Sequence, residues 1–382
     1  MHQSKAISLP SSSPGTSRHL VAHHWGCSGA RPKVYIQAAL HADELPGVMA
    51  ACHLIRHLDE AAQKGEIVGE VILLPSANPI GMAQTLHTHH IGRFAFADGG
   101  ANFNRGWPDL SAAVVQEVKD KIGEDADQNI AMVRAALVRA VKNLPETSER
   151  EVHQKTLLSL SIDADFVFDL HCDAQALLHL FAHEEHQNLI SELAQDTGAR
   201  AVILEKSIDS GLFDECNGGT WIKIRRILNL SPTSLPAACF SPTVELRGQG
   251  DVTQKFGIQD AANIMNFLRR QGMIAGPAPK LPKQLCELSS VDFCDMVRAP
   301  CAGMVIWHQP IGAQINRGDL VAEILDPTAA DPWLCSTEVR APHSGLLFSH
   351  RIGYMTRPGE ILGQIAGTEP TGQQSAGQFL NP

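Results

Sequence analysis

Short apolar runs alternate with longer amphipathic stretches over the first two thirds of the chain. Five apolar runs are typical of buried strands, at residues 34–40, 68–75, 164–170, 201–205 and 238–245. Between them, apolar residues recur every three or four positions, which predicts helices at residues 47–58, 130–144 and 260–271. Several runs have no polar face, as expected for strands that are covered on both sides. The pattern therefore predicts an α/β sandwich with a mixed, mostly parallel sheet.

The pattern changes after residue 272. A proline-rich segment is followed by short strand-like runs that are broken by glycines. Residues 298–305 and 340–347 begin two similar copies of one phrase, which predicts two related β-hairpin units. These units resemble biotinyl and lipoyl carrier domains, but residues 326–331 contain no lysine for a covalent cofactor. We therefore predict a small all-β, barrel-sandwich-like domain that serves as a lid, a dimerisation surface or structural support.

Composition and charge narrow the class of protein. With 382 residues and 44% hydrophobic content, the chain can form more than one domain with a large buried core. A formal net charge of −10 argues against nucleic-acid binding, because phosphates attract basic proteins, so the expected partner is a small molecule. Nine cysteines without a CxxC pair predict reduced thiols and a cytoplasmic protein. We expect neither a signal peptide nor a membrane span, because no apolar stretch is long enough.

Candidate metal ligands lie at the ends of two predicted strands. His41 and Glu44 follow the strand at residues 34–40, and His171 follows the strand at residues 164–170. Sites in α/β sheets lie beyond the carboxyl ends of the strands, so we expect these side chains to meet. Two histidines and one glutamate form a ligand set of catalytic zinc centres, which leaves a fourth position for water. Cobalt, manganese and iron accept the same ligands, although zinc is the expected ion.

Glu245 is an acidic residue within an apolar, strand-like run. An unpaired carboxylate is costly to bury, so two interpretations stay open. Glu245 either forms an ion pair with a cation such as Arg247, or acts as a general base next to the metal. Asp169 is interpreted as a residue that orients His171. Asn102 is interpreted as a turn former in a glycine-rich loop.

Four motifs follow one another along the chain. They are His41-x-x-Glu44, residues 102–108, Asp169-Leu170-His171 and residues 243–248. Together, over residues 30–270, they resemble the succinylglutamate desuccinylase/aspartoacylase family of zinc carboxypeptidase-like hydrolases. The resemblance implies one zinc ion per chain, with His41, Glu44 and His171 as its ligands. It also implies that Glu245 is the base that activates water.

The same resemblance implies roles for three further side chains. Arg93 is implied as an arginine that either polarises the scissile carbonyl or binds a substrate carboxylate. Asn104 and Arg105 are implied as the pair that holds a substrate carboxylate and polarises the scissile carbonyl. A guanidinium suits this task because its planar fork can donate two parallel hydrogen bonds to a carboxylate, which a lysine cannot.

These observations predict a zinc-dependent deacylase that hydrolyses the amide bond of a small N-acyl amino acid or related compound. The alternatives are a metallocarboxypeptidase or an esterase with the same centre, or a catalytically silent relative that binds a metal or ligand. The expected substrate carries a carboxylate, and homo-oligomer formation stays open. The predicted organisation is a polar leader (1–30), a zinc hydrolase catalytic domain (31–272), a linker (273–290), a small β domain (291–370) and a tail (371–382).

Overall fold

The computed structural model describes residues 2–351 and 353–371. Within this part, the chain forms two units. The first unit contains residues 2–171, Ile208–Val244 and Val252–Leu281, and the second contains Cys172–Ser207, Glu245–Asp251 and residues 282–371. Almost all of the tail predicted at residues 371–382 lies outside the described residues.

The secondary structure follows the predicted alternation over the first two thirds of the chain. The helices are α1 (Pro46–Gln63), α2 (Pro79–Met82), α3 (Ser111–Val118), α4 (Ala126–Lys142), α5 (Glu149–Ser161), α6 (Gln187–Thr197), α7 (Thr220–Ile227) and α8 (Gln254–Arg270). The strands up to residue 248 are β1 (Gln3–Leu9), β2 (Arg18–Gly26), β3 (Lys33–Ala38), β4 (Glu70–Leu74), β5 (Thr85–Leu86), β6 (His89–His90), β7 (Phe94–Ala95), β8 (Ala101–Asn102), β9 (Phe166–Asp173), β10 (Gln175–Ala176), β11 (His179–His183), β12 (Ala201–Glu205) and β13 (Thr243–Gly248).

Only strands follow residue 281 apart from one short 3-10 turn, among the residues that the structure describes. They are β14 (Leu288–Ser290), β15 (Cys294–Arg298), β16 (Gly303–Trp307), β17 (Gln314–Ile315), β18 (Leu320–Leu325), β19 (Thr337–Arg340), β20 (Gly345–His350), β21 (Met355–Thr356) and β22 (Ile361–Ala366).

The sheet of the first unit contains strands in the order β1-β2-β4-β3-β9. Strands β4, β3 and β9 are parallel, whereas β1 and β2 are antiparallel to their neighbours. Every residue of β3 is buried, which explains its continuous apolar run. Helix α1 packs against α8 within this unit. The predicted mixed α/β fold with a mostly parallel sheet is thus confirmed.

The N-terminal segment differs from the predicted polar leader. Residues 1–30 contain β1 and β2, and the whole of β1 pairs with residues 18–24 of β2. Leu20, Ala22 and Trp25 of β2 are fully buried, while Val21 is exposed and His23 and His24 are half-buried. Leu20 and Ala22 have the two-residue spacing of a strand with one solvated face, but the histidines and serines of the segment gave it the composition of a loop.

Helix α5 is an element that the sequence analysis missed. Ser148 accepts a hydrogen bond from the backbone N–H of Glu151, and the Glu151 side chain accepts from the backbone N–H of Ser148. This reciprocal capping box satisfies two N–H groups that a helix start would otherwise leave unpaired. Its sequence signal, a serine followed three residues later by a glutamate, was available.

The second unit contains the parallel strands β11, β12 and β14. Strand β14 lies at the end of the predicted linker at residues 273–290, so that segment is not purely a connection. The later strands form two further sheets, in the orders β10-β20-β22-β15 and β19-β18-β16-β21. Val297, Val321, Leu347 and Ile365 are among the buried residues of one core in this part.

The two copies of the repeated phrase start equivalent strands. Gly303 begins β16 with φ +152°, and Gly345 begins β20 with φ +156°. A Cβ atom would lie 2.3 Å from the carbonyl oxygen of Leu325 at Gly303, and 2.3 Å from that of Ala366 at Gly345. Both positions therefore need glycine, which accounts for the shared glycine of the two copies.

The described helices include none with the combined length and apolar character that a membrane crossing needs.

Candidate metal centre

The parallel pairing of β3 and β9 brings the predicted ligands to one edge of the sheet. Ala38 at the end of β3 is in register with Leu170 of β9, so the residues that follow each of them are neighbours. His171 lies next along β9. His41 and Glu44 lie on the turn between β3 and α1, and the N–H of Glu44 donates to the carbonyl of His41 at 3.1 Å. The strand order thus places three side chains that are distant in sequence within reach of one another.

The carboxylate of Glu44 lies between the two imidazole rings. His41 Nδ1 is 2.9 Å from Glu44 Oε1, and His171 Nδ1 is 2.8 Å from Glu44 Oε2. All three side chains are buried, and their ligand atoms lie within 4.8 Å of one another. Within residues 2–351 and 353–371, this is the one group of histidine, cysteine and acidic side chains arranged closely enough to hold a metal ion.

The second nitrogen of each imidazole is held by a side chain of the protein. His41 Nε2 donates to Asn102 Oδ1 at 2.8 Å, and His171 Nε2 lies 2.8 Å from Asp169 Oδ2. Metal-binding histidines are commonly held in this way, because the second hydrogen bond fixes the ring and its tautomer. Asp169 therefore lies where the sequence analysis placed it. Asn102 forms a turn, as predicted, but its contact with His41 was missed.

The resulting arrangement suits a cation. When Nε2 of His41 carries its hydrogen, Nδ1 points a lone pair at Glu44. Two acceptors 2.9 Å apart need a proton or a metal ion between them. A hard or borderline divalent ion with nitrogen and carboxylate ligands satisfies both groups, so the residues present fit zinc.

Charge is concentrated in this cluster. Burial acts to raise the pKa of Glu44, but His41, His171 and Arg93 outweigh it and hold that pKa well below its usual range. Burial likewise acts to lower the pKa of His171, but Asp169 and Glu44 outweigh it and hold that pKa well above its usual value. Burial lowers the pKa of His41. The contacts with His171 and Arg93 thus favour the ionised form of Glu44.

Two residues behind the ligands were missed by the sequence analysis. Gln37 Nε2 donates to Asp169 Oδ1 at 2.9 Å, and Tyr35 Oη donates to Gln37 Oε1 at 2.8 Å. All of these side chains are fully buried. A signal existed, because a glutamine inside an apolar, doubly covered strand needs a hydrogen-bonding partner.

Arg93 lies at the cluster. Its Nη2 donates to Glu44 Oε1 at 2.7 Å, which is the oxygen that also faces His41. The guanidinium side chain is 26% exposed, whereas Glu44 is 1% exposed. Arg93 therefore reaches the buried ligands from a more open position.

Asn104 and Arg105 lie on a turn that is tied to the cluster through Asn102. Asn102 Oδ1 accepts from the backbone N–H of Asn104 at 2.8 Å. Asn104 Oδ1 accepts from the backbone N–H of Phe213 at 2.9 Å, and Arg105 Nη1 donates to the carbonyl of Asn104 at 2.8 Å. The Asn104 side chain thus joins two loops.

Glu245 lies on β13, in the second unit. Burial alternates along this strand, with Val244 and Leu246 buried and with Glu245 and Arg247 half-buried. The apolar run of the sequence is therefore one face of the strand, and the acid belongs to the other. Its role as a base stays a prediction.

The model of the succinylglutamate desuccinylase/aspartoacylase catalytic domain family matches residues 30–270. No curated protein matches the sequence.

Several solved structures have a similar fold. A succinylglutamate desuccinylase/aspartoacylase family protein from Shewanella amazonensis SB2B is 25% identical, with a TM-score of 0.81 over 95% of this chain and 98% of that chain. A protein from Shewanella frigidimarina NCIMB 400 is 19% identical, with a TM-score of 0.83 over 98% and 99%. The product-bound ectoine utilization protein EutE (DoeB) from Ruegeria pomeroyi is 18% identical, with a TM-score of 0.63 over 96% and 95%. The latter two likenesses show the fold alone.

Proposed function

Because the chain belongs to the succinylglutamate desuccinylase/aspartoacylase family, we propose that it is a zinc-dependent deacylase. Its substrate is a small N-acyl amino acid or related N-acylated compound that carries a carboxylate, and the bond hydrolysed is the amide. The observation that carries the proposal is the buried group of His41, Glu44 and His171, whose imidazoles are held from behind by Asn102 and Asp169. Bound zinc supplies a Lewis acid and lowers the pKa of a water molecule.

The residues of the chain have distinct tasks in this proposal. Asn102 and Asp169 keep the two rings in a fixed orientation and tautomer, so that Nδ1 of each ring faces Glu44 and these three side chains would hold the ion. Glu245 takes a proton from the attacking water and returns it to the leaving amine. Arg93 supports the negative charge that develops on the carbonyl oxygen. Arg105 binds the substrate carboxylate through its planar fork, with Asn104 beside it.

The catalytic domain in this proposal spans residues 31–272, and a small β domain spans residues 291–370. The proposed location is the cytoplasm. All nine cysteines are free thiols, which supports a reducing compartment.

The test combines metal analysis with a substrate panel. Purified protein is analysed for bound metal and assayed on N-acetyl and N-succinyl amino acids, on blocked dipeptides and on esters, with and without chelator. We expect about one zinc per chain and chelator-sensitive release of amine from the acylated amino acids. Cleavage of the dipeptides alone would favour a metallocarboxypeptidase. Equal turnover by the zinc-free protein would overturn the proposal.

Replacement of Glu245 distinguishes the role of a general base from the role of a metal ligand. Glu245→Gln should retain zinc, because the three ligand side chains are unchanged, while turnover falls by about 10²- to 10⁴-fold through loss of the proton acceptor. His171→Asn is the matched variant, and it should lose zinc. Steady-state kinetics and metal content of both variants provide the readout. Undiminished turnover in Glu245→Gln would rule out its role as base.

A further inference from the structure

Helix α5 presents three polar side chains on one face near its start. Arg150, His153 and Gln154 are spaced by three and four residues, which places them side by side on a helix. The capping box of Ser148 and Glu151 fixes the first turn, from which Arg150 projects. The positions of these side chains therefore depend on a well-defined helix start.

Arg150 connects this helix to the turn that carries the candidate substrate-binding residues. Its Nη2 donates to the carbonyl of Arg105 at 2.6 Å and to that of Asn102 at 3.3 Å. Its Nη1 donates to Asp98 Oδ2 at 3.2 Å. The Arg150 side chain is 18% exposed, so the carbonyls compete with little water for it. One guanidinium thus holds both ends of the turn at residues 102–105.

The neighbouring residues of α5 support the same region. Gln154 Nε2 donates to the carbonyl of Gly106 at 3.5 Å. His153 Nε2 donates to the carbonyl of Ala77 at 2.6 Å, and the N–H of Ala77 donates to the carbonyl of Ala38 at the end of β3. The face of α5 therefore contacts both the turn at residues 102–106 and the segment beside the strand that leads to His41.

The turn at residues 102–105 has two connections to the site. The Asn102 side chain accepts from His41, and Arg105 is the proposed carboxylate-binding residue. Movement of the backbone here would shift both side chains, and a shift of about 1 Å can lower a rate by about 10²-fold. The carbonyl contacts of Arg150 therefore act on Asn102, which orients His41, and on Arg105, which binds the substrate carboxylate in our proposal.

We propose that Arg150 is a positioning residue that fixes the backbone of Asn102 and Arg105, and so sets how strongly the enzyme selects a substrate with a free carboxylate. This inference rests on the proposed function. Lysine can replace it only in part, because a single ammonium group lacks the fork that reaches Asp98 and two carbonyls together. Arg150 acts through Arg105 and does not itself contact the substrate.

The test compares each N-acyl amino acid with its primary amide, in which a neutral carboxamide replaces the carboxylate. The ratio of kcat/KM for the acid to kcat/KM for the amide measures how strongly Arg105 recognises the substrate carboxylate. In Arg150→Met we expect this ratio to fall about 10- to 100-fold, mainly through a higher KM for the acid, with zinc content unchanged. Arg150→Lys should give an intermediate ratio. Arg105→Met with Arg150→Met should have the same ratio as Arg105→Met alone.

Arg139→Met is the matched control. Arg139 is an exposed arginine of α4 that pairs with Glu117, and its replacement should leave the ratio unchanged. Hydrogen exchange adds a readout that does not depend on activity, because amides at residues 98–106 should exchange faster in Arg150→Met and not in Arg139→Met. If the wild-type enzyme is active and Arg150→Met changes neither the kcat/KM ratio nor the hydrogen exchange, this inference is overturned. A zinc-loaded wild type that hydrolyses no member of the panel would overturn the proposed function itself.

Discussion

Single buried polar residues define the candidate centre at the residue scale. Asp169, Gln37 and Tyr35 form a continuous set of hydrogen bonds behind His171, and none of the three is exposed. A buried polar group that loses its partner carries the full cost of its lost hydration. The stability of the first unit and the orientation of His171 therefore depend on the same few contacts.

Gln37→Met tests this dependence. The substitution keeps the approximate volume but removes the partner of both Tyr35 Oη and Asp169 Oδ1. We expect a loss of about 2–4 kcal/mol in the free energy of unfolding of the zinc-free protein, and a fall of about 10- to 100-fold in zinc affinity. Denaturant unfolding and chelator competition measure these effects. Tyr35→Phe is the control, since it removes one hydrogen bond and leaves Asp169 paired. Unchanged zinc affinity in Gln37→Met would show that this set does not orient His171.

His153 gives a prediction for pH dependence. Burial lowers the pKa of His153 to about 4, against about 6.5 for an unfolded histidine. The unfolded chain therefore binds a proton between these pH values and the folded chain does not. The contribution of neutral His153 to the free energy of unfolding is present in full above about pH 6.5. That free energy falls by up to about 1.4 kcal/mol per pH unit as the pH drops toward 4.

His153→Gln isolates this effect, because an amide can still donate to Ala77 but does not titrate. Its free energy of unfolding should vary less with pH between 6.5 and 4 than that of the wild type. Urea unfolding at half-unit pH steps provides the comparison. The pKa of His350 in the second unit is also lowered to about 4 by burial, so His350→Gln is the matched variant. Parallel curves for wild type and His153→Gln would contradict the assignment.

At the element scale, strands and long amphipathic helices follow from the sequence, while short or polar elements do not. Strand β3 was predicted because its residues are apolar and wholly buried, and α1 because its apolar residues recur at helical spacing. Helix α5 was missed because its exposed and buried faces both carry polar residues, so its sequence lacks a clear hydrophobic periodicity. Its position is fixed by contacts with other elements. The cap at Ser148 was the available signal.

Ser148→Ala measures how much that cap contributes. The substitution removes the acceptor for the N–H of Glu151 and should lower the free energy of unfolding by about 1 kcal/mol. Ser159→Ala is the control within the same helix, because the Ser159 hydroxyl contacts only the carbonyl of Lys155. That change should be neutral or slightly stabilising. Equal effects of the two substitutions would show that the capping box contributes nothing specific.

At the scale of the whole molecule, the sequence predicts a boundary near residue 272, whereas the last segment of the first unit ends at Leu281. The sequence could indicate the three candidate ligands, because each follows an apolar strand. It could not indicate Asn102 as the partner of His41, or Arg93 as the partner of Glu44. Those contacts depend on the path of the loop between α2 and α3, which is set by turns and hydrogen bonds rather than by periodicity.

The repeated glycines give a prediction for the second unit. Gly303→Ala places a Cβ atom against the carbonyl of Leu325 and should destabilise this unit by more than about 2 kcal/mol. Gly359→Ala is the matched control, since Gly359 also has positive φ (+84°) but has open space around the added atom. It should cost only about 1 kcal/mol. Thermal unfolding of both variants measures the difference, and equal losses would contradict a steric requirement at Gly303.

The pairing of β3 with β9 also has a kinetic consequence. Glu44 and His171 are 127 residues apart in the chain, so their meeting requires the closure of a very long loop. Contacts of such high sequence separation form slowly and form late during folding. A metal ion held by these residues would therefore bind to an almost completely folded chain and would not stabilise the early steps of its collapse.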